Sequence, residues 1–433
     1  MNLIPLRINP AMRLLLLPLL PVLLIMGHLS AQDEFKKYVN DNTLPLATIQ
    51  PDSPDDDGLR AIGNAIGESR IVMLGEQDHG DAPTFLAKTR LIRYLHEKKG
   101  FNVLAFESDF FGLTEGWDRL PKDAPAIDSF IRGNIFPIWT YCNTCHDLFY
   151  SYIPATFRSG NPLNLSGFDC QVILRYSARY LTGWLDSVMR GLGLPIVNST
   201  AYTTEVLPMI DSVKRWYSRP ADAQKMATAA AWADTIANQA SGLLKKDDFR
   251  WLVINSLVSE LREYRNLKDP HIVAESRDGQ MARNLAWLTD VRYAGQKIIV
   301  WAASAHIGKP AGNFPDVDYY NTTTMMGSAF TRDSIHRRET YVLGFTSFEG
   351  RAGRLQFKKY ELYKPRPGAF ERWFDPSLAY AFIDFKGYNT MNSGANEPFI
   401  MYGFGHVPVK GVWNKVFDGI IYIKDMYPCE LEQ

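Results

Sequence analysis

The feature that most narrows the fold is a strand, a helix and a strand in immediate succession around residues 70–106. Arg70-Ile71-Val72-Met73-Leu74 is a short apolar run closed by Gly75. Residues 84–99 carry Leu91, Ile92 and Leu95 at helical spacing and stop at Gly100, and Asn102-Val103-Leu104-Ala105-Phe106 is a second apolar run. Two such runs joined through one helix form a βαβ unit, and βαβ units build parallel sheets covered on both faces. Further strands are expected at 163–168 and 297–301, with edge pieces at 340–345 and 355–361. Short helices are expected at 114–119 and 126–132, and longer ones at 138–153 and 278–290. Residues 172–194, 204–218 and 221–267 are mostly helix-forming, and the stretch at about 195–270 reads as a helical insertion. The expected class is therefore α/β: a mostly parallel central sheet flanked by helices, with a large helical insertion.

Length sets the organisation. A single core stops growing near about 250–300 residues, so 433 residues imply one main unit, 32–433, enlarged by that insertion. Residues 32–60 are polar and turn-rich and read as a leading arm; the last seventy or so residues, rich in Gly and aromatics, give no clear element. Acidic and basic residues number 47 each, so no net field draws the chain to nucleic acid or to an anionic membrane.

The first 31 residues have another character. Arg7 and Arg13 precede an almost wholly apolar run from Leu14 to Met26, interrupted by Pro18 and Pro21, and the small residues Ser30 and Ala31 precede the polar Gln32. That is the layout of a secretory signal, and the run is shorter than the ~20 residues a membrane anchor needs. Export to the periplasm or the medium is expected, with no stable membrane anchor. Cys142, Cys145, Cys170 and Cys429 are then free to pair, in a connectivity that spacing does not dictate. Cys142-Asn143-Thr144-Cys145-His146 also matches the covalent haem attachment pattern, against which stand a local disulfide or two unpaired thiols.

The chemistry collects where strands end. Gly75-Glu76-Gln77-Asp78-His79-Gly80 follows the first strand, Glu107 and Asp109 the second, Asp169 the third, and Ala302-Ala303-Ser304-Ala305-His306 the fourth. Ligands of open α/β sheets bind outside the carboxyl ends of the strands, so these four segments are expected to meet in one place. A carboxylate beside His79, from Glu76 or Glu107, would orient the ring and make it a general base for water. His306 is expected to assist as a proton donor or a hydrogen bond to a developing oxyanion, and Lys88 through charge. There is no G-x-S-x-G elbow and no H-E-x-x-H, which argues against a nucleophilic serine and against that zinc motif. A metal or haem held by the same strand-end cluster, in a binding protein, is the alternative reading.

Taken together, Gly75-Glu76-x-x-His79-Gly80, Lys88 and Leu104-Ala105-Phe106-Glu107 resemble the erythromycin esterase family. Ser166-Gly167-Phe168-Asp169, Arg277-Asp278-x-x-Met281-Ala282-x-Asn284, Trp301 through His306, and Met326-Gly327 extend the resemblance over about 71–350. It implies hydrolysis of an ester or lactone, the macrolactone of a macrolide in the best-known case, without metal or cofactor and with a small molecule as partner. His79 then stands for the general base, Glu76 and Glu107 for the essential carboxylates, Lys88 for the expected cation and His306 for the late histidine. Asp169 and Arg277 are expected on the substrate side. Two positions depart from the family pattern: Ala303 stands where a further histidine is usual, and Pro83 where a glutamate is common.

Overall fold

The computed structural model describes residues 31–213, 222–309, 314–392 and 397–432. The basic and apolar leader lies outside the described residues, as do 214–221, which include the end of the helix expected at 204–218.

The described residues form eleven strands: β1 (Leu44–Pro45), β2 (Ile71–Leu74), β3 (Phe101–Asp109), β4 (Asn164–Asp169), β5 (Lys297–Trp301), β6 (Thr340–Ala352), β7 (Tyr360–Glu361), β8 (Tyr380–Asp384), β9 (Phe399–Phe404), β10 (Val407–Gly411) and β11 (Gly419–Met426). The main sheet runs β1-β8-β11-β6-β2-β5-β3-β4, with β7 attached to β6 and with β9 and β10 paired apart from it. From β11 through β4 every neighbouring pair is parallel; the pairs β8–β11, β1–β8, β7–β6 and β9–β10 are antiparallel. The fold is thus α/β with a mostly parallel sheet between helices.

Apolar runs become inner strands because both faces are covered. All four residues of β2 are buried. Its alternate side chains feed two cores: Ile71 and Met73 pack with Val103, Ala105, Ile298 and Val300, while Val72 and Leu74 pack with Leu104, Phe106, Ile299 and Trp301. The period of two along each strand makes that division. The helix Ala82–Lys99 closes on Gly100 in a left-handed conformation (φ 74°), whose N–H returns to Leu95 O, the usual glycine stop. Between β4 and β5 the described chain forms helices only, the longest being Arg175–Gly191, Ala223–Ala240, Phe249–Arg265 and Pro270–Trp287. Leu185, Ala233, Leu257 and Leu285 of these helices share one core with Met73 and Val103.

Several expectations are revised. The leading arm is folded: the helix Ala31–Asn42 buries Phe35 and Val39, one turn apart, against the body. The helix expected at 138–153 breaks into short pieces, Pro137–Thr140, Asn143–Cys145, Asp147–Tyr152 and Ile153–Arg158. It breaks because Cys142 and Asn143 pair instead with the C-terminal residues Leu431 and Glu430. Of the strand expected at 355–361 only Tyr360–Glu361 is extended. Glu107 and Asp109 lie within β3 rather than beyond it. Cys142 is joined to Cys429, 287 residues away, so neither a local Cys142–Cys145 bond nor haem attachment through both thiols holds. Cys145 and Cys170 are free and buried.

Candidate active site

The neighbouring parallel strands β2, β5, β3 and β4 bring their carboxyl ends to one rim, where Glu76, His79, Glu107, Asp169 and His306 sit around an open cleft of about 510 Å³. His79, Glu107, Gln171 and Arg277 line it together with Phe136, Ile138, Trp139, Tyr141, Phe357 and Leu431. Its volume is within the range of small-molecule sites, and the mix of apolar wall and a few polar groups is their usual composition.

His79 Nδ1 is 2.7 Å from Glu76 Oε1. A carboxylate can only accept, so Nδ1 carries a proton, and in the neutral ring Nε2 is the nitrogen that holds the lone pair. The ring is 14% exposed and lines the cleft. Glu76 is fully buried and takes two further donors, Lys88 Nζ at 2.6 Å and the indole Nε1 of Trp139 at 3.0 Å. Burial would push its carboxyl up, but Lys88 and His79 outweigh that and hold it below its ordinary range. Lys88 is equally buried and lies 4.2 Å above the Trp301 ring; it does not line the cleft. Its part is to keep Glu76 charged and still, so that Glu76 can orient His79.

A second network carries Glu107. Its Oε1 accepts from Arg277 Nη2 at 3.0 Å and lies 3.3 Å from His306 Nε2, and its Oε2 accepts from Ala303 N at 2.9 Å. Ala303 thus contributes a backbone N–H at the position where a further histidine side chain was looked for. Arg277 also grips Asp169, Nε to Oδ1 at 3.2 Å and Nη2 to Oδ2 at 2.7 Å. His306 Nδ1 is 2.6 Å from Asp278 Oδ1. His306 therefore has a carboxylate on each ring nitrogen and stays out of the cleft wall; it is a charged brace between Asp278 and Glu107 and has no nitrogen to spare for an oxyanion. Asp169 is fully buried and braces Arg277 instead of facing a substrate. Arg277 itself does line the cleft.

The two titrating members set a pH window. Burial opposes the charge of Glu107, but His306, His79 and Arg277 overcome it and bring its carboxyl down to about 2 from 4.5. Burial likewise opposes the His306 imidazolium, and Asp278 and Glu107 overcome it and raise the ring to about 9 from 6.5. Glu107, with its folded value lowered, contributes stability that is present above pH 4.5 and lost as pH falls towards 2. His306, with its folded value raised, contributes stability that is full below pH 6.5 and lost as pH rises through 9. Thermal melts between pH 6 and 10 are expected to show a falling Tm on that upper limb, absent from His306→Gln. Parallel curves for the two proteins would mean that the ring is not held charged by Asp278 and Glu107.

Some of the residues that matter here are silent in the sequence. Trp139 sits in a segment that reads as continuous helix, and nothing local says that its N–H reaches a carboxylate 63 residues earlier. Asp278 follows Arg277 directly and had a visible signal, a carboxylate within a shared motif, but no partner to give it a role. Among the described residues, no group of three or more His, Cys, Asp or Glu is arranged to hold a metal ion.

Comparison with known proteins places the chain in a family. A family model for erythromycin esterase matches residues 96–426, a span holding Glu107, Asp169, Arg277 and His306 and beginning beyond the His79 loop. The chain belongs to the erythromycin esterase family. This esterase-family chain is 23% identical over 449 aligned residues to the "Putative hydrolase YbfO" of Bacillus subtilis, covering 95% of the chain and 97% of that protein. A shorter stretch of 82 residues, 19% of each chain, is 37% identical to the erythromycin esterase type II of Escherichia coli. In fold it is similar to a Bacillus cereus protein of known crystal structure (TM-score 0.68, 18% identity, 93% of this chain and 99% of that one). It is also similar to a mutant of the erythromycin esterase EreC in its open conformation (TM-score 0.65, 18% identity, 89% and 98% covered).

Proposed function

We propose that the protein is an exported hydrolase that opens an ester or lactone with water activated by His79, without a metal or cofactor. The observation that carries this is the placement of His79: Nδ1 faces Glu76 and the ring lines the cleft, so that in the neutral ring Nε2 can take a proton from water. Water bound at Nε2 would lose its proton to the ring as its oxygen attacks the carbonyl, and no covalent enzyme intermediate is needed. Glu76, Lys88 and Trp139 position the base, and Glu107 and Arg277 line the same cleft. The aromatic wall of Phe136, Trp139, Tyr141 and Phe357 suits a substrate with a sizeable apolar part. A macrolide is one candidate, since relatives are named for erythromycin.

The metal-binding alternative has less behind it. Each carboxylate at the rim already faces the protein's own cations or N–H donors, which leaves little negative charge to recruit a metal. Export rests on the basic, apolar and small-residue order of residues 1–31 and is consistent with the Cys142–Cys429 bond, since disulfides persist in oxidising compartments. Among the described residues no helix is long and apolar enough to cross a membrane.

A panel of aryl esters, simple lactones and macrolides, run with and without a strong chelator, tests this directly. Turnover of at least one class, unchanged by chelator, is the expected result. Activity that disappears with chelator and returns with a divalent metal would replace His79-activated water by metal chemistry.

A further inference from the structure

The turn that follows β6 carries a cation whose terminal donors are unclaimed. Gly350 and Gly353 have φ of 111° and 132°, values that only glycine adopts without strain, and they fold the chain back over the His79 loop. The approach is close: a Cβ on Gly80 would lie 2.3 Å from Gly353 O and 2.9 Å from Arg354 Cα. Lys359 Nζ fastens the turn through Gly353 O at 3.0 Å and Arg354 O at 2.6 Å. Asp78 Oδ1 then accepts two bonds, from the backbone N–H of His79 at 2.8 Å and from Arg354 Nε at 2.7 Å. One carboxylate oxygen therefore sets both the backbone of the base and the guanidinium beside it.

Arg354 lines the cleft with His79, and among the described residues its Nη1 and Nη2 have no hydrogen-bond partner. The other cations at the site are each fixed by carboxylates. Lys88 is 0% exposed on Glu76, and His306 faces Asp278 and Glu107. Arg277 spends Nε and Nη2 on Asp169 and Glu107, and its Nη1 lies 3.5 Å from His306 Nε2, which is not an acceptor in the charged ring.

We propose that Arg354 is a further catalytic residue, whose terminal guanidinium nitrogens donate to the oxyanion formed when water attacks the substrate carbonyl. The proposal rests on the hydrolase reading above. In the step, the water oxygen bonds to the carbonyl carbon, its proton passes to His79 Nε2, and the carbonyl π pair moves onto oxygen in front of Arg354. That pair re-forms the carbonyl as the ester C–O bond breaks, and the leaving alkoxide takes the proton back from Nε2. Acid and alcohol leave and the protein is unchanged. A donor fixed before reaction and aimed at charge that appears only in the transition state accelerates the step without tightening substrate binding.

The test uses the whole protein with Arg354→Ala, Arg354→Lys and His79→Ala. Two readouts are needed: hydrolysis of para-nitrophenyl butyrate, and calorimetric binding of methyl butylphosphonate, a stable tetrahedral anion. Arg354→Ala is expected to lower kcat by about 10²–10³-fold with KM nearly unchanged, to weaken phosphonate binding, and to regain part of kcat with added guanidinium ion. Arg354→Lys should keep part of both, and Tm should hold because the side chain is 48% exposed. Wild-type kcat and phosphonate affinity in Arg354→Ala, beside an inactive His79→Ala, would overturn the role of Arg354 and leave the hydrolase reading standing. A raised KM at unchanged kcat would also overturn it, by making Arg354 a ground-state contact. Wild-type protein that turns over none of the ester panel would overturn both.

Discussion

His79→Ala is expected to cut ester turnover by about 10²–10⁴-fold, the usual contribution of a positioned general base, while Tm stays within about 2 °C. The two halves of that result have different origins. Activity falls because no other ring nitrogen at the cleft is free: His306 has a carboxylate on each side. Stability survives because Glu76, the residue that would suffer most, keeps Lys88 and the Trp139 indole as donors. The measurement is kcat beside a thermal melt on the same preparation. Retained turnover in the folded variant would remove His79 from the mechanism.

Lys88→Met is expected to act in the reverse order, on the fold first. Both members of the Lys88–Glu76 pair are fully buried, and removing one partner of such a pair costs about 3–5 kcal/mol because the other charge is stranded away from water. Glu76 then has only His79 to neutralise it. The imidazole is drawn towards its protonated form and is lost as a base, so turnover falls as well. Urea unfolding should show the deficit as a lower midpoint with little change of slope. Glu76→Gln combined with Lys88→Met should recover much of the stability, since no buried charge remains, yet stay inactive because His79 has lost its carboxylate. If the single variant is as stable as the parent, the pair is not the anchor of the site. A double variant with parental activity would show that His79 works without Glu76.

The sequence revealed those parts of the molecule whose cause is local. β2, residues 103–106 of β3, and residues 298–301 of β5 are apolar runs, so their existence as strands, with Glu76, His79, Glu107 and His306 near their carboxyl ends, could be read from pattern alone. β11 could not be placed. Gly419-Ile420-Ile421-Tyr422-Ile423 is apolar enough for a strand, but its rank in the sheet depends on partners such as Leu343 and Thr346, far back in the chain. The same limit hid Trp139 and Arg354, whose significance lies in atoms of Glu76 and Asp78. The parts of His306 and Asp169 turn on the same limit: a polar residue at a strand end can reach into the cleft or brace a neighbour that does, and only the partner decides.

The position of β11 has a consequence for synthesis. Residues 419–426 lie between β6 and β8 in the sheet, and residues 427–429 meet the loop that bears His79: Tyr427 O and Cys429 N bond to Ala82 N and Gly80 O. While a ribosome is still making residue 410, β6 has an open edge towards β8 and the loop of the base lacks its backing. The sheet edge at β6 and the loop that bears His79 are completed only by residues 419–429. A chain cut short of residue 419 would therefore leave β6 unpaired on that side and the His79 loop unsupported.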